Sequence, residues 1–338
     1  MKNFLDQLAQ IQNLEAAFAR VQLNAGCRGA DGVTVPMFAA NLPANLRDLN
    51  NGLLKQEYHP FPLMRFPIPK GASSKLQGEN TNAPSANLPL ATSHLPLATG
   101  HRFLSVPTVR DRTAQTAAFL TTKEICEAEF EDVSHAYREG RGVKTAVWDI
   151  KEWRDKGYRF AVDADITSYF DNVPHDPLLV KLEKLFPDPA LFRLFTKWIK
   201  AEIYDGERIW TLDKGIPQGS VVSPALANLF LDELDETLMS FGMKIVRFAD
   251  DFLILAKSEK KAEEAIEITD MLLDDMKIDL NPLKTKIVSF DKGFKFLGAI
   301  FVGDGIFLPF PQKRNKENPP PKLPPALTLR RYLELKNK

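Results

Sequence analysis

The stretch Lys244-Ile245-Val246-Arg247-Phe248-Ala249-Asp250-Asp251-Phe252-Leu253-Ile254-Leu255-Ala256 sets two neighbouring acids between two apolar runs. Each run has strand length and strand composition, so the segment reads as strand, acidic turn, strand. Two adjacent carboxylates at the tip of an apolar hairpin repel each other, and half-buried they are costly without a cation. A divalent metal removes that cost. The other reading is an Asp-rich turn standing in solvent, because Asp is an ordinary turn residue.

A further acid lies upstream. Residues 158–165, YRFAVDAD, alternate as a strand that delivers Asp165 at its end, followed by Ile166-Thr167-Ser168-Tyr169-Phe170-Asp171. Three carboxylates from two neighbouring strand ends are what two magnesium ions about 3.5–4 Å apart require. Asp163 shares a strand face with Asp165, so periodicity does not choose between them.

Outward from this centre the chain shows an alternation of helices and strands. Residues 1–25 have helical spacing (Leu5, Leu8, Ile11, Leu14, Phe18) up to a glycine-rich break at 26–32. Residues 61–70 read as a short strand, 108–127 and 143–156 as helices, and 177–201 as one helix. Ser223 followed by Pro224 predicts a helix start with Ser223 as the N-cap. An amphipathic helix is expected over 259–277, then short strands to 308. Residues 71–101 are rich in Ser, Asn, Gly and Pro and read as an exposed loop, within which LPLATSH (88–94) is followed by LPLATGH (95–101). Two seven-residue copies do not make a solenoid and read as a local duplication. Seven prolines fall within 309–325, predicting a linker, and the chain ends in a short basic helix candidate.

Nine segments, in order, resemble the reverse transcriptases, within them the group II intron-like bacterial lineage. They are GADGVTVPMF (29–38), IPK (68–70), RFLSVPTVRDRTAQ (102–115), SHAYREGRGVKTAV (134–147), DITSYFDNVPH (165–175), GIPQGSVVSPALANLFLDELD (215–235), RFADD (247–251), LNPLKTKIV (280–288) and FKFLG (294–298). The resemblance implies an α+β fold, a right-hand polymerase with fingers and an antiparallel palm sheet packed by helices. It implies fingers over 1–156 with the inserted loop 71–101, a palm over 157–308, and a Pro-rich linker and basic tail over 309–338. It also implies roles. Asp165, the carbonyl of Ile166, Asp250 and Asp251 would hold two Mg²⁺ ions (Mn²⁺ as the substitute), with Asp163 a bystander. Phe170 would lie under the sugar of the incoming nucleotide and exclude a 2′-hydroxyl. Lys70 and Arg102 would hold the triphosphate, a guanidinium fork suiting phosphate oxygens. Gln218 and Gly219 would line the nucleotide and template pocket, and Lys284 would protonate the leaving pyrophosphate. Arg110 and Arg112 would touch template or brace the fingers.

The departures from the family pattern are also informative. Phe248 stands where many relatives carry tyrosine, and Phe-Ala-Asp-Asp is reminiscent of reverse transcriptases that act with CRISPR integrases. Only 40 residues follow Phe296-Leu297-Gly298, so a thumb is expected to be absent or vestigial, or its role to fall to a partner. The expected activity is RNA-directed DNA synthesis from dNTPs on an RNA template with a DNA or RNA primer, supporting spacer acquisition with a CRISPR integrase complex. The alternatives are a maturase-like RNA-binding accessory and an antiviral polymerase making untemplated DNA. Three converging acids favour an enzyme, because a binder has no use for them.

Composition bounds these readings. The 338 residues carry 44 Lys+Arg against 44 Asp+Glu, with a basic beginning, an acidic middle and a basic end. That distribution suits a metal-using polymerase, though net charge does not demand one. The basic Arg330-Arg331 tail suggests docking to nucleic acid or a partner. No stretch approaches the roughly 18 uninterrupted apolar residues of a membrane helix. The start lacks an apolar signal core, so a cytoplasmic protein is expected. Cys27 and Cys126 show no CxxC spacing and indicate neither a disulfide framework nor a zinc site.

Overall fold

The computed structural model describes residues 4–69, 101–308, 323–324 and 326–336. Lys70, residues 71–100 with most of the tandem repeat, and residues 309–322 lie outside the described residues. In chain order the elements are α1 (Phe4–Ala9), α2 (Ile11–Asn24), α3 (Val35–Ala40), α4 (Leu42–Leu54), β1 (Leu63–Pro69), β2 (His101–Val106), α5 (Val109–Glu129) and α6 (Val143–Asp155). Then come β3 (Phe160–Asp165), α7 (Tyr169–Asn172), α8 (His175–Leu185), α9 (Pro189–Ile199), β4 (Glu202–Tyr204), β5 (Ile209–Thr211) and α10 (Ser223–Ser240). The chain continues with β6 (Lys244–Phe248), β7 (Asp251–Ala256), α11 (Glu259–Asp275), β8 (Lys286–Ser289), β9 (Phe294–Phe296), β10 (Ala299–Val302), β11 (Gly305–Phe307) and α12 (Leu329–Lys336). The fold is α+β, as expected. No helix among the described residues is long and apolar enough to cross a membrane.

The palm is the sheet β6-β7-β3-β8, antiparallel throughout. Strand alternation gives it two different faces. Val162, Ala164, Phe252 and Ile254 point to the main core shared with α10 and α11. Ala161, Leu253 and Leu255 point the other way and pack with Ala146, Val147 and Ile150 of α6 and with the phenylalanines of the small sheet β11-β10-β9. Asp163, Asp165 and Asp251 belong to this second face by register, beyond the apolar cover.

The fingers sheet has the order β2-β1-β4-β5. Its β1–β2 ribbon is antiparallel, while β1 meets β4 in parallel through Leu63↔Ile203 and Met64↔Tyr204. Two pieces of chain therefore cross the boundary expected at residue 156: β4–β5 joins the fingers, and α6 packs on the palm. Helices α1, α2, α4 and α5 complete the fingers core. Buried Asp111, on α5, orders the entry to β1 by accepting from the Tyr58 hydroxyl (2.7 Å), the Phe61 amide (3.0 Å) and the Thr108 hydroxyl (2.7 Å).

Two local expectations are corrected. The helix expected over 177–201 is two helices, because Pro187 and Pro189 remove amide donors and disfavour helical geometry before them. Asp188, between them, caps α9 through the amides of Ala190 and Leu191. Val222 is the N-cap of α10 and Ser223 its first helical residue, with no capping bond from the Ser223 side chain. The C-terminal segment packs back on the fingers: the Leu327 amide donates to Ala30, Arg28 to the Pro324 carbonyl (2.8 Å) and Arg331 to the Gly206 carbonyl (2.7 Å). Tyr332 donates to Glu202 (2.9 Å) and Lys336 pairs with the same carboxylate (2.6 Å), so α12 lies on the β4–β5 hairpin of the fingers.

Candidate active site

The site begins with a register. β6 and β7 pair from Lys244↔Leu255 to Phe248↔Asp251, leaving Ala249 and Asp250 as a two-residue turn. Ala249 has φ of 60°, the left-handed region that a non-glycine residue enters only when its surroundings hold it there. Arg247 does the holding. It is completely buried and donates to the Ala249 carbonyl (3.2 Å), to Asn228 Oδ1 (3.0 Å) and bidentately to Asp235, the last two on α10. Burial works against the guanidinium charge, but Asp235 more than offsets it and raises the pKa above its ordinary value. The backbone of Arg247 also exchanges bonds with the loop before α6, giving to Val133 (2.8 Å) and accepting from His135 (2.9 Å).

On the other side of β7, Asp165 pairs directly with Asp251. The next residue, Ile166, faces Leu280 in an isolated bridge, flanked by the bonds Thr167 N–H to Asp279 and Asn281 N–H to Asp165. In that pattern the peptide groups of Ile166 itself turn away from Leu280, towards the hairpin side. The predicted carbonyl ligand is thus directed to the side where Asp250 and Asp251 lie.

The acids act on one another. Burial, then Asp250 and Asp165, push the Asp251 carboxyl up to about 6. Asp250 is raised by burial, with Asp165 adding to it, and Asp163 is raised chiefly by burial. Lys284 supplies the local compensation: its ammonium donates to both oxygens of Asp165, at 2.9 and 2.8 Å, and that bond raises its own pKa. Asn281 adds a bond to Asp165 Oδ1 at 3.1 Å. Among the described residues no three acidic, His or Cys side chains are already drawn together as a metal cage. The donors nonetheless suit a hard divalent cation: carboxylate oxygens and a peptide carbonyl, mutually repelling and balanced here by one ammonium. Asp163 instead pairs with Lys286 across the β3–β8 register (3.7 Å).

The nucleotide side was expected at Lys70, Arg102, Phe170, Gln218 and Gly219. Lys70 lies outside the described residues. Arg102 stands on β2 opposite Ile68. It shares a neighbour with the acids: the Tyr137 hydroxyl is raised first by burial, then by Asp250 and Asp251, while Arg102 lowers it. Phe170 packs edge-on to buried Tyr169 (5.5 Å), whose hydroxyl is fixed on the Ala227 carbonyl (2.6 Å). The Gln218 carbonyl accepts from Ser105 of β2 at 2.6 Å. Gly219 has φ of +107°, and a Cβ there would come within 2.8 Å of the Ser105 carbonyl, so this close approach requires glycine. Arg110 and Arg112 brace the fingers, Arg110 on His59 and the Tyr58 and Phe61 rings, Arg112 on the carbonyls of Ala25 and Cys27.

Sequence reasoning missed Tyr137, half-exposed with φ of 61° and within the field of Asp250 and Asp251. It lies inside the quoted segment 134–147, but nothing in its neighbours signals its position. Arg65 was missed as well. Its guanidinium lies over the Phe103 ring (4.1 Å) and within the field of Asp171, on the inner face of the fingers sheet.

A family model of the reverse transcriptase (RNA-dependent DNA polymerase) matches residues 91–301. The chain is similar to protein YkfC of Escherichia coli strain K12, 30% identical over 325 residues that cover 84% of this chain and 78% of that protein. It is similar to the group II intron-encoded protein LtrA of Lactococcus lactis subsp. cremoris, 36% identical over 146 residues, 43% of this chain and 24% of LtrA. Among solved structures, a chain of a partial Cas6-RT-Cas1–Cas2 complex aligns with a TM-score of 0.46 and 24% identity, covering 82% of this chain and 44% of that one. This chain therefore spans about a quarter of LtrA and less than half of the CRISPR-complex chain. The matched region contains the carboxylate hairpin, its partner strand and the 215–221 loop, and the chain belongs to the reverse transcriptase (RNA-dependent DNA polymerase) family, whose members work with divalent metal ions.

Proposed function

We propose that the protein copies RNA into DNA, adding dNTPs to a primer 3′-hydroxyl. The observation that carries this reading is the register that sets Asp165 opposite Asp251 at the end of the β6–β7 hairpin. Asp165, the Ile166 carbonyl, Asp250 and Asp251 would hold two Mg²⁺ ions, with Mn²⁺ a substitute. Such ions lower the pKa of an attacking hydroxyl and stabilise charge on a phosphoryl group. Arg102, with Lys70, would orient the triphosphate, Phe170 would test the sugar, and Gln218 and Gly219 would shape the pocket. Lys284, a charged donor beside the acids, is the proposed proton source for pyrophosphate.

The test is extension of a labelled primer on RNA templates of different sequence with single dNTPs. Incorporation of only the complementary nucleotide supports templated copying. Extension without template would contradict it and favour the untemplated reading. Within this function we assign the protein to spacer acquisition beside a CRISPR integrase, supported by the Phe248-Ala249-Asp250-Asp251 hairpin. Failure of the protein to associate with a candidate CRISPR integrase would remove that assignment.

A further inference from the structure

His175 opens α8 and is buried. Its Nε2 lies 2.7 Å from the Gly215 carbonyl; the partner is an acceptor, so Nε2 carries the hydrogen. Two backbone bonds of the same length lie beside it: Gly215 N–H to Val173 and Ile216 N–H to Phe170. The two loops touch so closely that a Cβ on Gly215, at φ +88°, would come within 2.7 Å of the Asp171 carbonyl and 2.9 Å of the Phe170 carbonyl. Further along, the 215–221 loop is held to the fingers, by Ser105 on the Gln218 carbonyl and by Gln115 Oε1, which accepts from Ser220 Oγ and the Val221 amide at 2.9 Å each. The loop is thus pinned at both ends. At its palm end the side-chain pin, among the described residues, is His175.

We propose that His175 is a positioning residue for nucleotide selection, fixing the gap between the Phe170 ring and the Gln218–Gly219 loop. This rests on Phe170 as the residue that tests the sugar. The bond fixes the loop that carries Gln218, so its loss acts on how the nucleotide sits and much less on the carboxylates. A small displacement at such a gap changes rates strongly without touching the reacting atoms.

The test is steady-state incorporation of dNTPs and rNTPs on an RNA template by His175→Leu, His175→Gln, Gly215→Ala and Phe170→Ala, each checked for a cooperative thermal transition. For His175→Leu we expect KM for dNTP to rise about 3- to 10-fold, the worth of one hydrogen bond, with kcat changed less. The preference for dNTP over rNTP should narrow by a similar factor. His175→Gln, whose amide can donate to Gly215, should restore most of both. Gly215→Ala should narrow the preference with His175 intact, and it keeps the test open if His175→Leu does not fold. Phe170→Ala that narrows the preference, with His175→Leu and Gly215→Ala both unchanged, overturns the inference alone. A His175→Gln variant as impaired as His175→Leu also overturns it, since ring packing and not the bond would then matter. Phe170→Ala without effect overturns the reading of Phe170 and this inference with it.

Discussion

In the palm, β6 and β7 are joined by two residues, and their pairing places Asp251 next to Asp165 of β3. In the fingers, β1 waits for β4, with Leu63 pairing to Ile203, and the sheet is backed by α12 from the far end of the chain. The palm hairpin itself is a local construction, anchored by one buried cation, Arg247. The fingers are closed by contacts between distant parts of the chain, each individually modest. Closing long loops costs chain entropy that many small contacts must offset. A single substitution should therefore be far more damaging under the palm hairpin than at the fingers closure.

The largest effect is expected from Arg247→Met, which leaves Asp235 buried and unpaired. We expect a loss of about 3–5 kcal/mol in urea unfolding, with Asp235→Leu added to Arg247→Met recovering at least half. A single variant within about 1 kcal/mol of the parent would show that the hairpin has other anchors.

Acid should expose the same region. His135, buried beside the hairpin with Nδ1 on Thr145 (2.8 Å), has its pKa lowered to about 4 by burial and by Arg141, Arg138 and Arg247. Asp132 opposes that shift, and an Asp149 carboxylate oxygen lies 3.2 Å from Nε2. The folded value lies below the unfolded one of about 6.5, so the unfolded chain takes up the proton first as pH falls. This contribution is intact above about pH 6.5 and is lost towards pH 4, about 1–3 kcal/mol in all. Unfolding of the parent and His135→Gln at pH 7.5 and 5.0 should show a smaller loss in the variant; equal losses would exclude His135.

On the fingers side, Gly219→Ala should cost about 1–3 kcal/mol, because the methyl group meets the Ser105 carbonyl at a positive φ. A raised nucleotide KM should accompany it. Tyr332→Phe, which removes the bond to Glu202, should cost only about 0.5–1 kcal/mol and leave primer extension unchanged. A loss as large as that of Arg247→Met would contradict the distributed closure of the fingers.

The same contrast governs what could be read in advance. The hairpin was legible because its chemistry and pairing partners are adjacent, and period-two alternation places Asp165 at a strand end. The strands β4 and β5 have three residues each and no pattern long enough to declare themselves. Pro187 and Pro189 did mark the break between α8 and α9, but the apolar spacing continues across them. Tyr137 and His175 stood inside quoted segments without an assigned role. Their positions depend on where distant loops come to rest, and no local pattern encodes that. The bond from Lys284 to Asp165 likewise links residues 119 positions apart.

The most direct test is primer extension on a defined RNA template with dNTPs and Mg²⁺, comparing the parent with Asp250→Asn/Asp251→Asn at matched thermal stability. Complementary DNA is expected from the parent and none from the variant, with RNA binding retained by both. Equal extension by the two proteins would contradict the assignment of these carboxylates as the catalytic centre.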